Sequence, residues 1–96
     1  ARLEAASTIK ALQSIGCERF YYKYCATFDS TTDGNIGPIA EAMLETLNTK
    51  KTVFCPAFPE YTVTIFQGRM FLGSTPLGVS FKQNDHVTPM TNSNLL

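Results

Sequence analysis

The stretch richest in groups that could do chemistry is Thr27-Phe28-Asp29-Ser30-Thr31-Thr32-Asp33-Gly34-Asn35-Ile36-Gly37-Pro38. It crowds hydroxyls and carboxylates together and then runs into a helix-forming pattern. Its glycines let a ligand approach the backbone. A helix start leaves N–H groups without intrahelical partners, and these together with the helix dipole attract an anion. The combination suits a small polyhydroxylated acid, with backbone amides taking the carboxylate and Asp29, Ser30 and Thr31 bonding hydroxyls. The same residue types also serve plain helix capping. Neither the Gly-x-x-x-x-Gly-Lys-Ser/Thr order of a nucleotide P-loop nor Gly-x-Gly-x-x-Gly occurs here, so phosphate-donor binding is not encoded in this loop.

Other chemistry-bearing residues are few. Lys23 stands in an apolar run, and an ammonium there needs a carboxylate partner, a ligand or solvent; Asp29 is one candidate partner. The single histidine, His86, lies in Asn84-Asp85-His86-Val87-Thr88. An adjacent Asp does not make a triad, and no nucleophile-elbow serine accompanies it. A loop-bracing or ligand-contacting histidine is expected rather than a general base. Cys17, Cys25 and Cys55 are odd in number and form no Cys-x-x-Cys pair. They read as buried structural thiols in a cytoplasmic protein. His and Cys are too sparse for a metal site.

The elements that position these residues follow from periodicity. Ala5, Ile9, Leu12 and Ile15 predict a helix over 3–15, closed by Gly16. Residues 20–25 (Phe-Tyr-Tyr-Lys-Tyr-Cys) are dense in aromatics and predict a buried strand. Ile36, Ala40, Met43, Leu44 and Leu47 make the apolar stripe of a second helix over about 35–48, with Pro38 in its first turn. Residues 52–55, stopped by Pro56, predict another buried strand. Strand, helix, strand with such short connections implies a right-handed parallel unit. Residues 62–66 and 70–72 predict a hairpin about a Gly-containing turn, and 73–90 read as loop. The fold class is α/β: a fragment of a mostly parallel three-layer sheet domain with a β-hairpin extension. Both ends read as truncations, because the chain opens inside a helical pattern and closes on cap-type residues that lead into a helix start.

Composition bounds the partners. The chain has 96 residues and zero formal net charge, 8 basic against 8 acidic side chains. Backbone-holding nucleic-acid binders need a basic surface, so nucleic acid is not an expected partner. No apolar run approaches the roughly 20 residues needed to span a bilayer, and the start lacks a signal-peptide pattern. A domain this small has a modest core, so poor stability in isolation is expected.

Several blocks together resemble the four-carbon acid sugar kinase family. They are Lys23-Tyr24-Cys25-Ala26-Thr27-Phe28-Asp29-Ser30-Thr31, Gly34-Asn35-Ile36-Gly37-Pro38, Cys55-Pro56-Ala57-Phe58-Pro59, Phe66-Gln67-Gly68 and Thr88-Pro89-Met90-Thr91-Asn92-Ser93-Asn94-Leu95. The resemblance implies a kinase that uses ATP and Mg2+ to phosphorylate a threonate-, erythronate- or 3-oxo-tetronate-like acid. Such enzymes carry an N-terminal acid-sugar-binding domain, of which residues 1–96 would be part, and a C-terminal nucleotide-binding domain that holds ATP. The partners implied are the sugar acid and that second domain. Lys23, Asp29, Ser30, Asn35, Gly37 and Gln67 are the positions expected to contact the acid, with Asp29 the candidate to assist deprotonation of the acceptor hydroxyl. Ala26 departs from the Ser usual in the first block, Tyr61-Thr62-Val63 stands where Asn-Gly-Arg is common, and the Asp85-His86 segment also differs. The absence of a carboxylate-clamping arginine keeps a non-catalytic ligand-binding or regulatory domain as the alternative.

Overall fold

The computed structural model describes residues 1–25, 28 and 31–96. The ligand-contact expectations for Asp29 and Ser30 therefore fall outside the described residues. The chain divides into two compact units, Ala1–Lys23 with Asp33–Val53, and Tyr24–Thr32 with Phe54–Leu96.

The first unit is a pair of packed helices, α1 (Arg2–Ser14) and α2 (Ile36–Thr46). Ile9 is buried, and Ala5 and Leu12 are half-buried, whereas Ile15 is left exposed. Both helices end in the same device. At α1 the Gly16 N–H donates to the Gln13 carbonyl and Cys17 N–H to Leu12, with Gly16 at φ +90. At α2 Asn48 N–H donates to Glu45 and Thr49 N–H to Leu44, with Asn48 at φ 51. These are Schellman closures, which satisfy the last carbonyls by placing one residue in the left-handed region that Gly and Asn tolerate best. Arg2 holds the helices in register from outside, reaching Glu41 at 2.7 Å and both oxygens of Glu45 at 2.9 and 3.0 Å.

The second unit is built on a three-stranded antiparallel sheet, β1 (Val63–Phe66), β2 (Arg69–Leu72) and β3 (Thr75–Pro76), in the order β1-β2-β3. The β1–β2 register places Phe66 opposite Arg69, which leaves Gln67 and Gly68 as a two-residue loop. Both have positive φ, 48 and 74, as a type I′ turn needs to match the strand twist. The expected hairpin is present. Its inner face carries the core: Val63, Met70, Leu77 and Met90 are buried, with Phe28, Phe58, Ile65, Leu72 and Leu95 packed on them. The chain's last segment joins β2 as well. Met70 N–H donates to the Ser93 carbonyl and Leu95 N–H to Gly68, both at 2.9 Å.

Four expectations are corrected. Residues 20–25 and 52–55 form no strands, and the only sheet among the described residues is antiparallel rather than parallel. Side chains 20, 22 and 24 are half-buried while 21, 23 and 25 are exposed, and Val53 and Phe54 are exposed. An apolar run becomes a buried strand only where a neighbour supplies its ladder bonds; here the backbone N–H of Cys55 donates to the Tyr24 hydroxyl instead, at 3.1 Å. Residues 73–90 are not plain loop but hold β3 and the 3-10 helices Leu77–Val79 and Phe81–Asn84. In residues 91–96, Asn92 Oδ1 accepts from Asn94 N–H and Asn94 Oδ1 from Leu96 N–H, giving two successive Asx turns. The thiols are not buried: Cys25 and Cys55 are exposed and Cys17 half-buried, all three unpaired.

Candidate functional site

In the helical unit, Asn35 is the N-cap of α2 and Gly37 lies in its first turn. Asn35 has φ −99 and ψ −14 rather than the extended backbone usual at a cap, and its side chain makes no cap hydrogen bond. The capping role that these residue types could have served is therefore not what Asn35 performs. A Cβ built on Gly37 would meet nothing within 4 Å, so the first turn of α2 is open on that side. Asn35 also lines a cavity of about 430 Å³ in this unit, with Arg19 as its other nitrogen-bearing polar side chain and Ile9, Ile39 and Met43 among its apolar walls. Lys23 is exposed.

In the sheet unit, Gln67 is exposed at the tip of the β1–β2 hairpin. Phe28, the residue before Asp29, is at φ 54, and its ring meets Tyr24 edge-on at 5.2 Å. Bulky side chains rarely take the left-handed region, and strain of this kind gathers at ligand sites. Beside Phe28 opens a second cavity of about 430 Å³, rimmed by Thr31, Thr32, Thr91, Asn92 and Asn94. Of this rim, sequence reasoning named only Thr31, as a hydroxyl-bonding residue, and missed the rest. The hydroxyl and amide run Thr91-Asn92-Ser93-Asn94 was the local signal for the asparagines, and it reads equally as a helix cap.

His86 is exposed. The brace of its loop is Asp85, whose Oδ2 takes the buried Lys82 Nζ at 2.8 Å and whose Oδ1 accepts from Val87 N–H and Thr88 N–H. The Lys82 ammonium, then those two backbone N–H groups, hold the Asp85 carboxyl well below the usual carboxylate range. A depressed folded-state value contributes stability above the ordinary carboxylate range, and that contribution is lost as pH falls through the lowered value. Asp85→Asn is thus expected to lower the thermal midpoint at pH 7 and to flatten its fall between neutral and strongly acid pH. Melting curves across that range check both.

Among the described residues, no three His, Cys, Asp or Glu side chains come together to hold a metal ion, and no helix is long and apolar enough to cross a membrane.

A family model described as a sugar-binding N-terminal domain matches residues 1–96. A 3-oxo-tetronate kinase from Pseudomonas savastanoi pv. phaseolicola is 47% identical over 93 residues, covering 97% of this chain and 22% of that protein. One from Actinobacillus succinogenes is 52% identical over 85 residues, covering 88% and 20%. The chain therefore spans about a fifth of the length of these curated relatives. A crystal structure of a Haemophilus influenzae protein superposes with TM-score 0.88 at 45% identity, over 95% of this chain and 22% of that one. One from Salmonella typhimurium LT2 gives 0.91 at 40%, with the same coverage.

Proposed function

Because this chain belongs to the family of sugar-binding N-terminal domains, we propose that it binds the acceptor of an ATP-dependent kinase that phosphorylates a four-carbon sugar acid. The names of its relatives support the kinase reading and 3-oxo-tetronate chemistry in particular; threonate and erythronate are the close variants. The observation that carries the reading is the start of α2. An N-cap asparagine without a cap bond, followed by an open Gly37, leaves N–H groups for an outside anion, and a carboxylate is the anion such an acid brings.

Within that reading Lys23 and Asn35 add a charge and an amide for the carboxylate, and the Gly37 turn supplies backbone N–H. Asp29, Ser30 and Gln67 take hydroxyls. Gln67 occupies a turn position where Asn or Gly is cheaper, and retaining glutamine there at some strain fits a side chain with work to do. The transferred γ-phosphoryl goes to an acceptor hydroxyl, whose proton leaves to a base, and catalysis of this kind is mostly positioning. ATP supplies the phosphoryl and Mg2+ screens its charge. The residues here do not fit either group, having no phosphate loop and no cluster of carboxylates among those described, so this chain's part is to hold and orient the acid.

The exposed Tyr21, Val53 and Phe54 leave apolar surface that a neighbouring part of the domain would cover, since side chains of that kind usually find cover. Three thiols without a disulfide fit a cytoplasmic setting.

One observation favours the non-catalytic alternative. Thr62, in the segment where the family commonly has Asn-Gly-Arg, sits at φ 60, which costs a β-branched residue roughly 1–2 kcal/mol. Strain is kept there although the arginine is absent.

The test is thermal unfolding of the full-length protein with threonate, erythronate or 3-oxo-tetronate, with and without Mg-ATP. Saturating one acid at about 100 times its Kd should add about 2.7 kcal/mol and raise the midpoint. A folded protein that responds to neither acids nor ATP would move the assignment to the alternative. Gly37→Ala gives a separate result. An alanine in an exposed first turn should stabilise the helix by about 0.5–1 kcal/mol, yet its methyl fills the space where the acid would lie. Higher midpoint with weaker acid binding is expected; a higher midpoint with unchanged binding would remove the α2 turn from the site.

A further inference from the structure

We propose that the cleft beside Phe28 in the sheet unit receives the hydroxylated carbon chain of the acid, and that Thr91 and Asn94 determine which hydroxyl pattern it accepts. This rests on the sugar-acid reading above and adds residues outside those assigned from the resemblance.

The lining of the cleft fixes the class of ligand. Thr31, Thr32, Thr91, Asn92 and Asn94 supply hydroxyls and amides, while Phe28, Met90 and Leu95 supply an apolar wall backed by the core. Among the described residues none of its lining is charged. A neutral site of donors and acceptors against an apolar surface recognises hydroxyl groups on a short carbon chain, not a phosphate. Its volume, about 430 Å³, lies within the usual few hundred Å³ of small-molecule pockets.

The asparagines are already oriented. Each uses its Oδ1 to accept a backbone N–H, from Asn94 and Leu96 respectively, which fixes the amide plane and with it the direction of the two-proton Nδ2 donor. The segment that carries them is also held. Ser93 accepts from Met70 through its carbonyl at 2.9 Å and from Gly78 N–H through its hydroxyl at 2.8 Å, and Leu95 N–H donates to Gly68. Thr91 backs directly onto Gly78, where a Cβ would come within 2.6 Å of the Thr91 carbonyl oxygen. Donors fixed before the ligand arrives bind it without an ordering penalty.

The experiment uses the full-length protein and calorimetric titration with threonate, erythronate and 2,4-dihydroxybutanoate, which lacks one hydroxyl. Asn94→Asp keeps the oxygen that accepts from Leu96 and removes the Nδ2 donors; Thr91→Val removes a hydroxyl at constant shape. Each should weaken binding of the preferred four-carbon acid about ten-fold or more and shrink its preference over the deoxy analogue, a change that a structural role alone would not produce. Thr32→Val serves as a third variant in the same lining, and melting curves verify that each variant is folded. Wild-type affinity and preference in all folded variants, for an acid that the wild-type protein binds, would overturn the cleft and leave the sugar-acid reading standing. No binding of any four-carbon acid by the wild-type protein would overturn that reading, and the cleft assignment with it.

Discussion

Gly78→Ala is expected to lower the thermal midpoint of the protein by about 10 °C or more. Gly78 is buried in the 3-10 helix Leu77–Val79. A methyl there would come within 2.6 Å of the Thr91 carbonyl oxygen, 2.9 Å of its carbon and 3.2 Å of the Asn92 nitrogen. All three are backbone atoms, so no side-chain rotation makes room. The 91–92 segment would have to retreat, yet it is tied on both sides. Met90 N–H donates to the Lys82 carbonyl and Ser93 accepts from Met70 and Gly78. Overpacking against a fixed neighbour costs about 1–3 kcal/mol, and a displaced buried hydrogen bond adds about 1 kcal/mol more. In a domain of this size each kcal/mol moves the midpoint by roughly 4–8 °C. Gly73→Ala is the comparison: at φ +61 but with nothing within 4 Å, it carries only the conformational cost, about 1–2 kcal/mol. Equal melting of Gly78→Ala and wild type would mean the 91–92 segment does not lie where the structure puts it, and the cleft would lose its rim.

In the full-length protein, Asp29→Asn is expected to lower kcat/KM for phosphorylation of the four-carbon acid by about 100-fold or more. The substitution is isosteric and keeps a hydrogen-bond acceptor, so it separates the carboxylate's basicity from its shape. If Asp29 takes the acceptor proton, the loss falls on kcat with KM little changed; if it only binds a hydroxyl, KM rises with kcat retained. Lys23→Ala is expected to act on KM, because a charge that holds a carboxylate does so equally in ground and transition states. The readout is steady-state kinetics with each acid, supported by melting curves that show both variants folded. A variant with wild-type kcat and KM would exclude Asp29 from the site. A wild-type protein that binds the acid but transfers no phosphoryl would instead favour the non-catalytic reading drawn from Thr62.

What was legible in the chain was local. Gly16 stops α1 because the closing bonds lie within six residues, and a single left-handed residue completes them. Gln67-Gly68 turns the hairpin because two positive φ values and the flanking alternation are both carried by neighbouring residues. The stripe of α2 was readable for the same reason, although Ile15 on α1 shows that periodicity extends past the point where cover ends. In the candidate site, Asn35 and Gly37 could be placed at a helix start from the sequence, but not that Asn35 leaves its cap bond unmade. That depends on its backbone angles, which residue type does not dictate.

The residues that failed to announce themselves depend on partners far along the chain. The cysteines were placed inside because their neighbours are apolar; Cys25 and Cys55 are exposed because segments 20–25 and 52–55 meet no strand among the described residues. By itself the sequence determined the two helices and their closures, the hairpin and its turn, and the family resemblance, all of which rest on spacing within a few residues. Only the tertiary structure decided that segments 20–25 and 52–55 form no strands and that Thr31 and Thr32 share a cleft with Thr91, Asn92 and Asn94. Pairing and pocket formation bring together groups some sixty positions apart, and no local preference of either segment carries information about the other.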